Sequence, residues 1–415
     1  MKILFTFLLL VSISSFHARG SCLIEIGKST HLITDSLKLD SFIKKNVFKF
    51  IDGKYQGSGW DFLLKEIHQT QFVLIGEQHG EAEIPVFTAK IAREFKPKAL
   101  VVEIDPYTAT QLKKVSINPA GYSEYFKHNP YAFAFYSWQT EMELARQMQL
   151  SHIYIWGLNE INFLSLGRFF YMLSDCAKSP QNKKVALAIG HQYQSHDQPL
   201  FGDINGYNNF IAYKIKPATV DSLMYQFRNE SAQCKKMLSD LKASLPVFAN
   251  TSYSGRVNLM KKNLLNYLAP YISSDSIKMP RLLFKFGANH VTRTDDLKSY
   301  FEAGSLADNL AGAAGKETLH ILIFGKKGTN NQMAPVNNSL AIVPYDITED
   351  KDLAMFKPFS DPVKEDEWAV YDLRPIRDKI VNGKLPHIDA ELKAYIMGYD
   401  LLVIFGKVTG NRFID

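Results

Sequence analysis

The sequence predicts an α/β protein: a mostly parallel central sheet with helices on both faces and a helical insertion. Three observations predict it. Gln71–Gly76 and Ala99–Ile104 are short runs, almost wholly apolar, the pattern of strands covered on both sides. Between them, Ile84, Phe87, Ile91 and Phe95 recur at helical spacing. Strand, helix and strand within about 35 residues make a βαβ unit, whose crossover is right-handed.

The elements follow in order. Lys2, the apolar run Ile3–Phe16 and the small, polar exit His17–Ser21 read as a cleaved signal peptide over 1–21. The run is short for a membrane span, which needs about 20 apolar residues. The expected location is therefore the periplasm or the exterior, with no transmembrane span in the mature chain. Cys22 offers a lipoprotein route, which Arg19 in the lipobox position disfavours. Residues 22–415 then form the α/β domain. Asp40–Phe50 reads as a short amphipathic helix, and Glu83–Phe95 and Glu141–Leu150 as longer ones. Ile153–Gly157 is a third strand and Val185–Ile189 a weaker fourth. Thr219–Tyr271 reads as several helices, within an insertion spanning about 195–275. Arg281–Phe286 returns to strand, Asp295–Gly315 is turn and helix, and Leu319–Phe324, Leu340–Pro344 and Leu401–Lys407 are further strands.

Composition bounds the function. Hydrophobic residues make up 46% of the 415, enough for a packed core and too many for disorder. The net charge of +6 is scattered among acids, with no basic stripe interleaved with aromatics, so nucleic-acid binding has no support. The three cysteines, Cys22, Cys176 and Cys234, do not build a disulfide scaffold. Cys176 and Cys234 could pair in an oxidising compartment or remain two buried thiols; the sequence leaves both open.

The chemistry gathers at strand ends, where parallel sheets bind ligands. Gly76-Glu77-Gln78-His79-Gly80 follows the first strand, with glycines that let the backbone turn tightly. Glu103 ends the second strand, and an adjacent pairing of the two would bring it near Glu77 and His79. Carboxylates beside an imidazole shift one another's proton affinity into the range of acid–base work. Asn289 and His290 end the strand Arg281–Phe286 in the same manner. No Gly-x-Ser-x-Gly elbow is present, so a serine nucleophile of the common esterase type is unsupported. Gly312–Glu317 lacks the spacing of a phosphate loop. His191 and His196 lack a third ligand and read as a solvated loop.

At these residues the chain resembles the erythromycin esterase-like family, part of a wider group with haem-uptake ChaN-like and Tiki/TraB-like proteins. The resemblance runs in order through Leu74–Gly80, Val101-Val102-Glu103, Tyr154–Leu158, Arg256–Met260, Asn289-His290-Val291 and Gly304–Ala307. It implies a metal-independent hydrolase of an ester or lactone bond in a small-molecule substrate, without a cofactor. On that pattern His79 is the base, Glu103 orients it with Glu77 beside it, and His290 polarises the carbonyl. Arg256 stabilises the oxyanion or holds a substrate carboxylate, and Asn289 joins it in binding substrate. The wider group implies an alternative, a non-enzymatic protein holding haem, a divalent metal or a small ligand in the same cleft. A third implication is metal-dependent peptide cleavage. Two departures from the family pattern stand out: Gln78 alone separates Glu77 from His79, and Gly287 stands where the family often has a histidine.

Overall fold

A computed structural model describes residues 38–53, 55–203, 206–273, 278–332 and 338–414. The expected signal peptide and Cys22 lie outside the described residues. Nine strands build one sheet: β1 (Val47–Lys49), β2 (Phe72–Glu77), β3 (Ala99–Val102), β4 (Tyr154–Gly157), β5 (Leu282–Gly287), β6 (Thr318–Asn331), β7 (Ile342–Asp346), β8 (Trp368–Asp372) and β9 (Leu401–Val408). Their order is β1-β8-β9-β6-β2-β5-β3-β4, with β7 paired to β6 outside that path. Neighbours from β9 through β4 run parallel, and β1, β7 and β8 add antiparallel pairings.

Both faces of the parallel core are covered. Strand period two sends Val73, Ile75, Leu100, Val102 and Leu283 to one face. There they pack on Trp60, Leu63, Ile84, Phe87, Ile91 and Met142 of the helices Ser58–Gln69, Glu83–Phe95 and Gln139–Leu150. Phe72, Leu74, Val101, Leu282, Phe284 and Phe286 face the other way, onto Met260, Leu264, Ala307 and Ala311 of the helices Tyr253–Ile272 and Ala303–Ala313. The expected α/β class is what the chain adopts.

Four local expectations need correction. First, β2 and β3 are not adjacent, because β5, which arrives almost two hundred residues later, lies between them. Second, Val185–Ile189 is helical, inside Pro180–Asp197; the Ser179 hydroxyl caps that helix by accepting from the Asn182 amide, and Pro180 opens it at a position where no amide is needed. His191 and His196 therefore ride on this helix rather than in a loop. Third, the helix expected over Asp40–Phe50 occupies 38–45 and yields to β1. Fourth, β8 lies between β1 and β9 as a strand that no periodicity had marked; its three buried residues are too few for the pattern to declare itself.

Cys176 and Cys234 form a disulfide, Cα atoms 5.8 Å apart, tying the helix Leu166–Cys176 to the helix Ala232–Phe248. No helix among the described residues is long and apolar enough to cross a membrane.

Candidate active site

Glu77 closes β2 and shares its face with Val73 and Ile75, so the strand delivers a carboxylate into a region where water is scarce; the residue is 5% exposed. The chain then turns through Gly80, whose φ of +95° an L side chain rarely adopts. The turn brings His79 back over the strand end. Its Nδ1 lies 2.8 Å from Glu77 Oε1, and its ring stacks on Phe135 with centroids 4.9 Å apart.

Glu103 is the meeting point. It follows β3 directly, and it is Asp105, not Glu103, that caps the next helix by accepting from the Tyr107 and Thr108 amides. Glu103 is therefore free for the site. Its Oε2 accepts from the Gly287 amide at 2.8 Å and faces His79 Nε2 at 3.4 Å. Its Oε1 accepts from Arg256 Nη2 at 2.7 Å and faces His290 Nε2 at 3.3 Å. One carboxylate thus binds both imidazoles, and the intervening β5 makes this possible. Gly287 ends that strand in register with Glu77, its amide holds Glu103, and His290 follows in the 3-10 turn Ala288–Val291. A Cβ on Gly287 would lie 2.9 Å from His79 Nε2, so a side chain could not stand here with His79 in place.

His290 is held from behind by Glu302, whose Oε2 lies 3.2 Å from Nδ1. Glu302 is fully buried and also accepts from Tyr253 Oη at 2.7 Å. Arg256, one turn into the helix Tyr253–Ile272, is held on several sides: Nε reaches Asn159 Oδ1 and Glu160 Oε2 at 3.1 and 3.0 Å, and Nη1 approaches His290 Nε2 at 2.9 Å. Asn289 stands half-buried in the same turn as His290. His79 and Arg256 keep 20% and 21% of their side-chain surface open, against 7% for Glu103 and 8% for His290, so the approach to the cluster runs past the first two.

The charges explain the protonation. Burial alone would lower both histidines, but the hydrogen bonds and charges of Glu103 and Glu77 overcome it and raise His79 to about 10. Glu103 does the same for His290, against the repulsion of Arg256, and holds it at about 9. Burial pushes the glutamates upward, yet His290 and His79 keep Glu103 well below the usual carboxylate range, and Lys285 and His79 keep Glu77 below it as well. Both imidazoles thus hold a proton more tightly than a free histidine, and both glutamates release theirs more readily than a free carboxylate.

The structure brings Glu77, His79, Glu103, Arg256 and His290 into one cluster. Three participants were missed in the sequence: Lys285, Glu141 and Glu302. A signal existed for the first. Lys285 interrupts the apolar run Leu282–Phe286 of a strand covered on both faces, and a lysine there must have a buried partner. Glu141 and Glu302 sit at helix starts, where an acid is unremarkable.

No family model and no curated protein matches the sequence. Solved structures do match over nearly the whole chain. A protein from Bacillus cereus superposes with TM-score 0.56 at 15% identity, covering 92% of this chain and 99% of its own. A succinoglycan biosynthesis protein gives 0.56 at 13%, covering 91% and 99%. A mutant erythromycin esterase in its open conformation gives 0.51 at 12%, covering 86% and 95%. Identities this low establish the fold alone. The chain is a structural relative of that erythromycin esterase, built on the same α/β fold.

Proposed function

We propose that the protein is an exported hydrolase of ester or lactone bonds in a small-molecule substrate, with the His79–Glu103–His290 cluster as its catalytic centre. The observation that supports it above all is the convergence of two imidazoles on one buried carboxylate at the C-terminal rim of the parallel strands. In this reading neutral His79 takes a proton from water, and the hydroxide attacks the carbonyl carbon. His290, as imidazolium, donates to the developing oxyanion. The proton gathered by His79 then passes to the leaving alkoxide. Glu103 stays ionised throughout and balances both rings. Arg256 is engaged by Glu103, Glu160 and Asn159, so its part is to hold Glu103 and add positive charge near the oxyanion. Glu77 orients His79, and Asn289 offers its amide to the substrate.

The protonation states predict an alkaline enzyme. His79 works as a base only when neutral, above about 10, and His290 as a donor only when protonated, below about 9. The product of those two fractions climbs through neutrality and peaks between the two values.

Haem or a divalent metal would meet the same obstacle as the reacting water. Both ring nitrogens of His79 face carboxylates, and those of His290 face Glu103, Arg256 and Glu302, so either must displace one of these contacts to reach a nitrogen. Among the described residues no group of three or more histidine, cysteine or acidic side chains is arranged to hold a metal ion. Export is supported by the apolar leader and by the Cys176–Cys234 disulfide, a bond that persists in oxidising compartments.

The test is hydrolysis of a panel of esters and lactones by the purified chain, followed by base uptake, with and without chelator. Turnover that survives chelation and disappears in Glu103→Gln is the expected result. Absence of turnover, together with haem or metal co-purifying in stoichiometric amount, would replace the hydrolase with a binding protein.

A further inference from the structure

Behind His79 lies a second layer of ionisable groups, buried away from the surface. Lys285 is fully buried on the face of β5 that also carries Leu283, directed at the helix Gln139–Leu150. Its ammonium donates to Glu77 Oε1 at 2.7 Å and to Glu141 Oε1 at 2.5 Å. Aromatic rings close the remaining side, with Phe135 and Tyr136 centroids 5.6 and 5.9 Å from Nζ. Glu141 is 2% exposed, and its second oxygen has no hydrogen-bond partner among the described residues. Burying one lysine and two glutamates is unfavourable by several kcal/mol per ion unless the geometry is good and the charges are used. For packing alone, apolar residues of the same volume would serve as well.

We infer that Lys285 and Glu141 are positioning residues of the catalytic centre: Lys285 keeps Glu77 ionised and turned toward His79 Nδ1, and Glu141, by sharing that ammonium, sets how tightly His79 holds its proton. The inference rests on the reading of His79 as the acid–base group. The groups facing this pair are Glu77 and His79 from β2 and its turn, and Tyr136 from the 3-10 helix Ala134–Ser137, itself near Glu103. Two carboxylates share one ammonium in a dry site, so one of them carries the excess charge. Glu77 has His79 as a second partner; Glu141 has none. Burial pushes Glu141 up to about 7, against the pull of Lys285 and with the repulsion of Glu77. Glu141 thus gains and loses a proton near neutrality, and each ionisation adds a negative charge that strengthens the grip of the pocket on the His79 proton.

NMR titration of the His79 imidazole in the full chain tests this without requiring turnover. In wild type, the resonance moves in two steps, a minor one near about 7 as Glu141 ionises and the major one near about 10. In Glu141→Gln the minor step disappears and the major midpoint falls by about one pH unit, as expected for loss of one nearby buried charge; Glu141→Asp restores both. On any ester that is turned over, the rising limb of kcat/KM shifts to lower pH by the same amount, with KM unchanged. A wild-type titration in a single step, or a Glu141→Gln curve that overlays wild type, overturns the inference. If Glu141→Gln does not fold, the wild-type curve alone decides. A two-step titration without any ester hydrolysis would leave the positioning pair standing and remove the hydrolase reading instead.

Discussion

The two imidazoles that meet at Glu103 are supported in opposite ways. His79 rests on Glu77, whose charge is balanced by a lysine and shared with a second glutamate. His290 rests on Glu302, whose other oxygen is occupied by a neutral tyrosine hydroxyl. The first support includes a second carboxylate and a lysine; the second is a single carboxylate held by a tyrosine. His79 is also the more open of the two, 20% against 8%. A group that must exchange protons with water benefits from an adjustable backing and a path to solvent, whereas a group that stabilises an oxyanion must stay charged and still. The contrast agrees with the proposed roles, base for the early histidine and donor for the late one.

The largest effect that would break this comparison belongs to Glu103, because both halves lean on it. Glu103→Gln should lower kcat/KM by about 1,000-fold or more and reduce unfolding free energy by about 3–5 kcal/mol, since Arg256 and both imidazoles lose their shared counter-charge. Urea unfolding and steady-state kinetics read the two parts separately. Next in size, His79→Ala should remove about 100- to 10,000-fold of the rate, the usual span of a general base, and with it the alkaline rise of the pH profile. His290→Ala at matched pH should lose rate yet keep that rise, and an identical pH profile in the two variants would erase the distinction drawn here. Gly287→Ala sharpens the geometry: its methyl displaces His79 Nε2, so activity should fall about tenfold to a hundredfold while circular dichroism stays native. Tyr253→Phe is the gentlest probe, removing one hydrogen bond worth about 1 kcal/mol from Glu302, for a several-fold loss confined to the His290 side.

Stability should report the same asymmetry. Folding raises both histidines, so the stability they contribute is complete below the unfolded value of 6.5 and fades as pH rises through about 9 and about 10. The melting temperature should therefore decline across that window in wild type and less steeply in His79→Asn.

Much of this was legible in the sequence because parallel strands announce themselves twice, by their apolar runs and by the polar residues that stop them. Glu77, His79, Glu103 and His290 were all visible as strand-end residues. The order of the strands was not, since an apolar run carries no record of its neighbours. The site gathers as expected, but β5 intervenes where direct pairing of β2 with β3 was expected, and Glu103 reaches Gly287 before it reaches His79. Val185–Ile189 misled because β-branched residues at both ends outweighed the proline and serine that open a helix. Glu141 and Glu302 were illegible for another reason. An acid at the start of a helix, in the first turn for Glu141 and at the N-cap for Glu302, has a local explanation, and only the packing reveals that these two point inward at a lysine and an imidazole.

The late arrival of β5 has a consequence for how the molecule comes into being. While the chain emerges from the ribosome, the slot between β2 and β3 stays unfilled until Leu282 and the residues after it have been made. The earlier strands must wait with unpaired edges, a state prone to aggregation and well suited to capture by chaperones. A protein whose centre cannot close until most of its length is available depends, by its own topology, on keeping its early strands apart until then.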